Sequence, residues 1–176
     1  PRPAPEPMPA RTPSRSVAVA NRHPRLRVPT GSVERLTAVL DDHAARLAPR
    51  GSTMPDGELS VVFLDDSSLA KLHAEFLRDP STTDVITFEG APALGVAGEI
   101  CVSADTAFTY ARENDREFAA ELALYVVHGW LHLAGHDDLE PRRKRAMRRA
   151  EARAMRLLSE AGALPRFVFA TSRRRH

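Results

Sequence analysis

One stretch of eleven residues constrains this chain more than any other: His128-Gly129-Trp130-Leu131-His132-Leu133-Ala134-Gly135-His136-Asp137-Asp138. Tyr125, Val126, Trp130, Leu131 and Leu133 make its first part nearly all apolar, so a helix here must be largely buried. Yet it carries imidazoles at 128 and 132, one turn apart, which project from one face toward a shared focus. Polar groups in such a place are costly unless something satisfies them. Gly135 suits the left-handed conformation that ends a helix, and it lets the following residues swing back toward the first two rings.

Two helical imidazoles followed by a turn and further donors are the chemistry of a metal site, and zinc is the usual occupant. The third ligand comes from His136, Asp137 or Asp138; with Asp138 the spacing reads H-x-x-x-H-x-x-G-x-x-D, close to the metzincin layout. Three protein ligands leave one position open for water, which distinguishes a catalytic site from a closed structural one. The zinc-peptidase motif H-E-x-x-H has its general base directly after the first histidine, where this chain has Gly129, so peptidase activity is disfavoured. A bound metal lowers the pKa of water, with Asp137 or Glu121 as weaker candidates to handle the proton.

The chain's 176 residues suit one domain with a substantial core. No apolar run is long enough to span a membrane, and no apolar core of a secretory signal is visible at the start. The single cysteine, Cys101, rules out an internal disulfide framework and reads as a small buried residue of a strand. Cytoplasm is the expected compartment. Residues 1–15, rich in proline and arginine, are expected to be a disordered tail, residues 16–164 the functional domain, and residues 165–176 a basic C-terminal tail.

Periodicity predicts strands over 17–21, 59–64, 85–88 and 99–103, and helices over 32–47 with Ser32 as N-cap, from 65 to about 77, 104–114, 117–134 and from Pro141 onward. Strands early and helices late predict an α+β fold, a small mixed sheet packed against helices, with a zincin-like metal helix in the core. Asp65 and Asp66 read as caps of a helix rather than ligands. Asp84, opening a strand, reads equally well as an anchor or a functional group. His23, His43, His73 and His176 have no partner at ligand spacing and read as surface or local structural residues.

Charge is unevenly spread. Residues 32–138 hold 7 Lys and Arg against 19 Asp and Glu, whereas residues 139–176 hold 12 against 3 and the first 31 residues 6 against 1. Arg142, Arg143, Lys144, Arg145, Arg148 and Arg149 crowd the last helix, just after the candidate ligands. Arginine in such excess over lysine favours a phosphate-tracking surface, with Arg142, Arg143, Lys144, Arg145 and Arg149 as contacts to a polyanionic strand and Arg173 to Arg175 as a flexible arm. Metal and basic helix together predict metal-assisted phosphodiester cleavage, led by backbone contacts and with weak base preference.

The chain resembles the YbeY endoribonucleases. Their signature H-G-x-L-H-L-x-G-H/Y-D-H is matched from His128 to Asp137 at every defined position, and Asp138 stands where the family has its last histidine. Leu72 to Phe88, with Thr83-Asp84-Val85 at its heart, is similar to a second family segment, although Leu77 occupies the place of a functionally important arginine and Arg78 lies beside it. Gly98-Glu99-Ile100-Cys101-Val102-Ser103 is similar to a third. The resemblance covers about residues 16–160 and implies a zinc-dependent endoribonuclease with one Zn2+ per chain. The implied substrate is single-stranded rRNA at the 3′ end of small-subunit rRNA, and the implied partner is the small ribosomal subunit, in rRNA maturation and ribosome quality control. His128, His132 and Asp138 would be the metal ligands, with His136 as the alternative third. Two other readings stay open: a ribosome-associated RNA-binding module with weakened metal chemistry, and, less favoured, a metalloprotease.

Overall fold

The computed structural model describes residues 15–77 and 84–171. Residues 1–14, residues 78–83 with Arg78 and Thr83, and residues 172–176 with Arg173 to Arg175 lie outside the described residues. In chain order the elements are β1 (Val17–Asn21), β2 (Leu26–Arg27), α1 (Ser32–Asp42), α2 (Ala44–Leu47), β3 (Glu58–Leu64), α3 (Asp66–Leu77), β4 (Val85–Ala91), β5 (Val96–Ser103), α4 (Ala104–Glu113), α5 (Phe118–Leu133), α6 (Pro141–Glu160) and β6 (Val168–Phe169).

The main sheet has the order β1-β3-β5-β4, with β1, β3 and β5 parallel and β4 antiparallel to β5. Alternation along the strands decides what covers each face. Leu59, Val61, Phe63, Ile100 and Val102 point into the larger core, against α1, α5 and α6, while Val62, Leu64, Ile86 and Cys101 meet Leu69 of α3 on the other side. The fold is thus mixed α and β with a small sheet packed against helices, and the sheet backs the histidine-bearing helix α5. α3, between β3 and β4 in chain order, covers the second face.

α5 is central because its sequence leaves it nowhere else to go. Leu122, Ala123, Val126, Val127, Trp130 and Leu131 are wholly buried. Its first turn is capped by the Glu117 carboxylate, which accepts from the Ala120 N–H at 3.1 Å. Its last turn closes with paired bonds, Gly135 N–H to His132 O and His136 N–H to Leu131 O, both at 3.0 Å, with Gly135 at φ 111°. The indole N–H of Trp130, buried in the core, is satisfied by Asp41 at 3.1 Å.

Several sequence expectations are corrected here. The helix expected over 32–47 breaks at His43, whose Nδ1 lies 2.9 Å from the Val39 carbonyl and competes with the helical ladder. Ser32 is a helical residue rather than the cap; Gly31 occupies the N-cap position at φ 74°, and the Ser32 hydroxyl donates to Pro29 O at 2.6 Å. Within the expected C-terminal tail, residues 165–171 are folded: β6 pairs with β2, and Phe167 and Phe169 are buried. Arg15, at the end of the expected disordered segment, is tied to Asp41 at 2.8 Å. Asp65 caps α3, accepting from the Ser68 N–H at 2.7 Å, and that bond holds its carboxyl below the usual range. Asp66 instead accepts the hydroxyls of Ser103 and Thr106, joining the starts of α3 and α4.

Candidate metal centre

His128 and His132 lie on one face of α5, and their Nε2 atoms face each other at 3.0 Å. The turn at Gly135 brings Asp138 back over them, one carboxylate oxygen 3.8 Å from His128 Nε2 and the other 3.8 Å from His132 Nε2. All three donors lie within 4.8 Å of one another. Ligands held about 2.05 Å from a tetrahedral zinc stand roughly 3.4 Å apart, so separations of 3.0 to 3.8 Å bracket the edge of such a site. Two facing imidazole nitrogens cannot both carry a proton at this distance, whereas a cation satisfies both lone pairs. The residues present therefore fit a divalent ion.

Glu151 of α6 completes the arrangement from behind. Its carboxylate meets His128 Nδ1 at 2.5 Å, so Nδ1 carries the proton and Nε2 turns its lone pair toward the focus. Burial pulls the His128 pKa down, but the Glu151 hydrogen bond and the charges of Glu151, Asp138 and Asp84 together hold it above its ordinary value. For His132, burial and then the neighbouring His128 prevail, and the pKa falls. Sequence reasoning missed Glu151. The available signal was its charge, since it is the lone carboxylate between Arg142 and Arg156.

The other candidate ligands are engaged elsewhere. His136 Nε2 donates to the Leu47 carbonyl of α2 at 2.7 Å, which takes the ring out of the donor cluster. Asp137 binds the Arg143 guanidinium at 2.6 Å and accepts from the Leu139 N–H at 3.3 Å. Glu121 is buried and lines the cleft beside His128, where burial raises its pKa against the opposing effects of Arg116 and Tyr125. Of the four other histidines, His23 is buried with its Nε2 2.8 Å from Asp105, and His73 is buried with Nδ1 unpartnered among the described residues. His43 bonds its own helix, and His176 lies outside the described residues. Burial of Cys101 pushes its thiol up to about 12, in keeping with an inert core residue.

The cations of α6 lie on more than one of its faces. Met147, Ala150, Ala154 and Leu158 bury the inner stripe of α6. Arg142, Arg145 and Arg149, at spacings of three and four, form an exposed outer row. Lys144 and Arg148 share the flank that carries Glu151, and Arg148 reaches the cleft. Arg153, on the opposite flank, donates to the Arg46 carbonyl at 2.8 Å. Arg143 is held by Asp137 and lies 3.8 Å from Glu140.

Gly129 has a structural reason. A Cβ at this position would stand 2.4 Å from Cγ2 of Ile100 on β5, so the helix approaches the sheet only because residue 129 has no side chain. The position where a zinc peptidase carries its glutamate faces the sheet and not the donors.

A sequence model of the family described as endoribonuclease YbeY matches residues 19–159. An endoribonuclease YbeY from Rhodopirellula baltica is 43% identical over 106 residues, 58% of this chain and 54% of that protein. One from Porphyromonas gingivalis is 38% identical over 104 residues, 59% of this chain and 69% of its own length. The aligned stretch thus spans about half of the first relative and about two thirds of the second. The solution structure of a Thermotoga maritima protein shares the fold, with a TM-score of 0.56 and 24% identity, covering 84% of this chain and 92% of that one. With the match running from β1 almost to the end of α6, the chain belongs to the endoribonuclease YbeY family.

Proposed function

We propose that this protein is a metal-dependent endoribonuclease that cuts single-stranded RNA, acting on the 3′ end of small-subunit rRNA during maturation and in ribosome quality control. The observation that carries this reading is the meeting of His128, His132 and Asp138 beside an open cleft, in a member of this family. The ligand set would hold one Zn2+ per chain, since two imidazoles and a carboxylate suit that ion, and α5 would then serve as a zincin-like metal helix. A cation bound there supplies Lewis acidity, which polarises a phosphoryl oxygen and acidifies water. The chain's own groups supply orientation: Glu151 fixes the tautomer and tilt of His128, and the exposed row of Arg142, Arg145 and Arg149, with Lys144 on the adjoining flank, would hold the phosphate backbone. Arg143 belongs to the same surface once Asp137 yields it.

The small ribosomal subunit is the proposed partner and the cytoplasm the proposed compartment. No helix among the described residues is long and apolar enough to cross a membrane. A metalloprotease is disfavoured because a glutamate at 129 would be driven into Ile100.

The deciding experiment incubates the protein with precursor rRNA, with and without chelator, beside His132→Ala. Cleavage lost under both treatments supports the reading, and cleavage indifferent to both removes the metal mechanism. RNA binding without metal or cleavage would instead mark a ribosome-associated RNA-binding module.

A further inference from the structure

Beside the donor cluster a cleft of about 510 Å3 runs from His128 along α4 and α5, a size that accommodates a small ligand. Its wall carries three carboxylates, Asp84, Glu121 and Glu151, against one guanidinium, Arg148. A phosphate backbone would be repelled there, so the strand that α6 attracts does not lay its phosphates along this wall. Two of the three carboxylates are spoken for: Glu151 by His128, and the buried Glu121 by the Tyr125 hydroxyl. Asp84 is the exposed one; its backbone carbonyl accepts from the Ser103 N–H at 3.0 Å, and the bond described for its carboxylate is the one that Oδ1 accepts from the adjacent Val85 N–H at 3.0 Å, leaving acceptor capacity on both oxygens. On the same wall Tyr110 leaves 41% of its surface exposed, with the Arg116 guanidinium over its ring at 5.9 Å. Leu124 adds an apolar floor.

An aromatic ring, an apolar floor and a lone carboxylate acceptor suit a nucleobase that stacks and offers N–H donors. Guanine is the base whose Watson–Crick edge presents two neighbouring donors, N1–H and the N2 amine, to one carboxylate. We infer that this cleft is a base subsite for guanine next to the cleaved phosphate, with Asp84 reading the base edge and Tyr110 carrying the ring. The inference rests on the reading of the adjoining centre as one that cleaves RNA, and it replaces the weak base preference expected from sequence with a specific one.

The test uses the full chain loaded with zinc and single-stranded RNA pentamers that differ at one position: guanine, inosine, which lacks the N2 amine, or adenine. Binding is followed by fluorescence anisotropy and cleavage separately by gel. The expected result is guanine bound about tenfold tighter than inosine and tighter still than adenine. Asp84→Asn should collapse that ratio to near one, and Tyr110→Ala should weaken all three pentamers together. Guanine-dependent binding without cleavage would support the subsite while removing the endonuclease reading. Cleavage with equal binding of the three pentamers, a ratio unchanged in Asp84→Asn, or no binding of any pentamer would overturn the subsite.

Discussion

Glu151 on α6 holds Nδ1 of His128 on α5 at 2.5 Å, so the helix that carries the arginines also sets the direction of a candidate metal ligand. Glu151→Gln keeps an acceptor for Nδ1–H but removes the charge. The expected outcome is a loss of about 10- to 100-fold in zinc affinity, read by competition with a chromophoric chelator, with the thermal midpoint of the metal-free protein little changed. Equal affinity in the variant and the parent would show that His128 needs no anchor.

Zinc that binds only the folded chain stabilises it by mass action, by about 2.7 kcal/mol at a free concentration near 100 times Kd. His132→Ala and Asp138→Ala should both lose this zinc-dependent rise in unfolding midpoint. His136→Ala should keep it, because that ring is bonded to Leu47 O and not to the cluster. A rise that survives Asp138→Ala but vanishes in His136→Ala would reassign the third ligand.

Packing makes Gly129 intolerant of a methyl group. Alanine would gain about 1 kcal/mol of helix propensity, but its Cβ would stand 2.4 Å from Ile100 Cγ2, and overpacking costs about 1–3 kcal/mol. Urea denaturation should therefore find Gly129→Ala less stable than the parent. Combined with Ile100→Ala it should cost less than the sum of the two single changes, a coupling measurable in a double-mutant cycle. Additive costs would mean that the contact with Ile100 is not what excludes the side chain.

Buried Glu121 gives folding a pH dependence of definite sign. Burial, opposed by Arg116 and Tyr125, holds its folded pKa above the ordinary 4.5, so from pH 4.5 up to the folded value the unfolded chain releases a proton that the folded chain keeps. Stability from this group therefore falls as pH rises through that window and is level above it. Glu121→Gln should remove that part of the fall, seen as a flatter plot of urea midpoint against pH. Parallel profiles for the two proteins would be the contrary result.

Salt dependence separates the arginines. Each phosphate contact with a single strand contributes about 0.7 to the slope of log affinity against log salt. Arg145→Ala combined with Arg149→Ala should lower the slope for single-stranded RNA by roughly 1.4 if each side chain meets one phosphate. Arg143→Ala should change it less, because Asp137 already holds that guanidinium at 2.6 Å. Titrations at several salt concentrations decide between a shared and a divided basic surface.

Local rules made much of this protein legible from its residues alone. The apolar run around His128, the turn at Gly135 and the alternation in Leu59 to Leu64 depend on neighbours within a few positions, so the buried helix, its stop and the strands could be read directly. Spacing also placed His128 and His132 on one face. Tertiary structure decided whatever depended on partners far along the chain. Spacing named Asp138 as the third donor and kept His136 as the alternative, and only the packing of α2 against the end of α5 shows His136 bonded to the Leu47 carbonyl while Asp138 lies by the two imidazoles. Glu151 looked like a stray acid in a basic helix until α6 packed beside α5, and Gly129 looked like a missing base until β5 came within contact of it. Residues 165–171, read as the start of a basic tail, fold because Phe167 and Phe169 find a core that their own neighbours do not reveal. Propensity and periodicity act over one or two turns, while hydrogen bonds and steric contacts between residues 20 to 140 positions apart are fixed only by the packed whole.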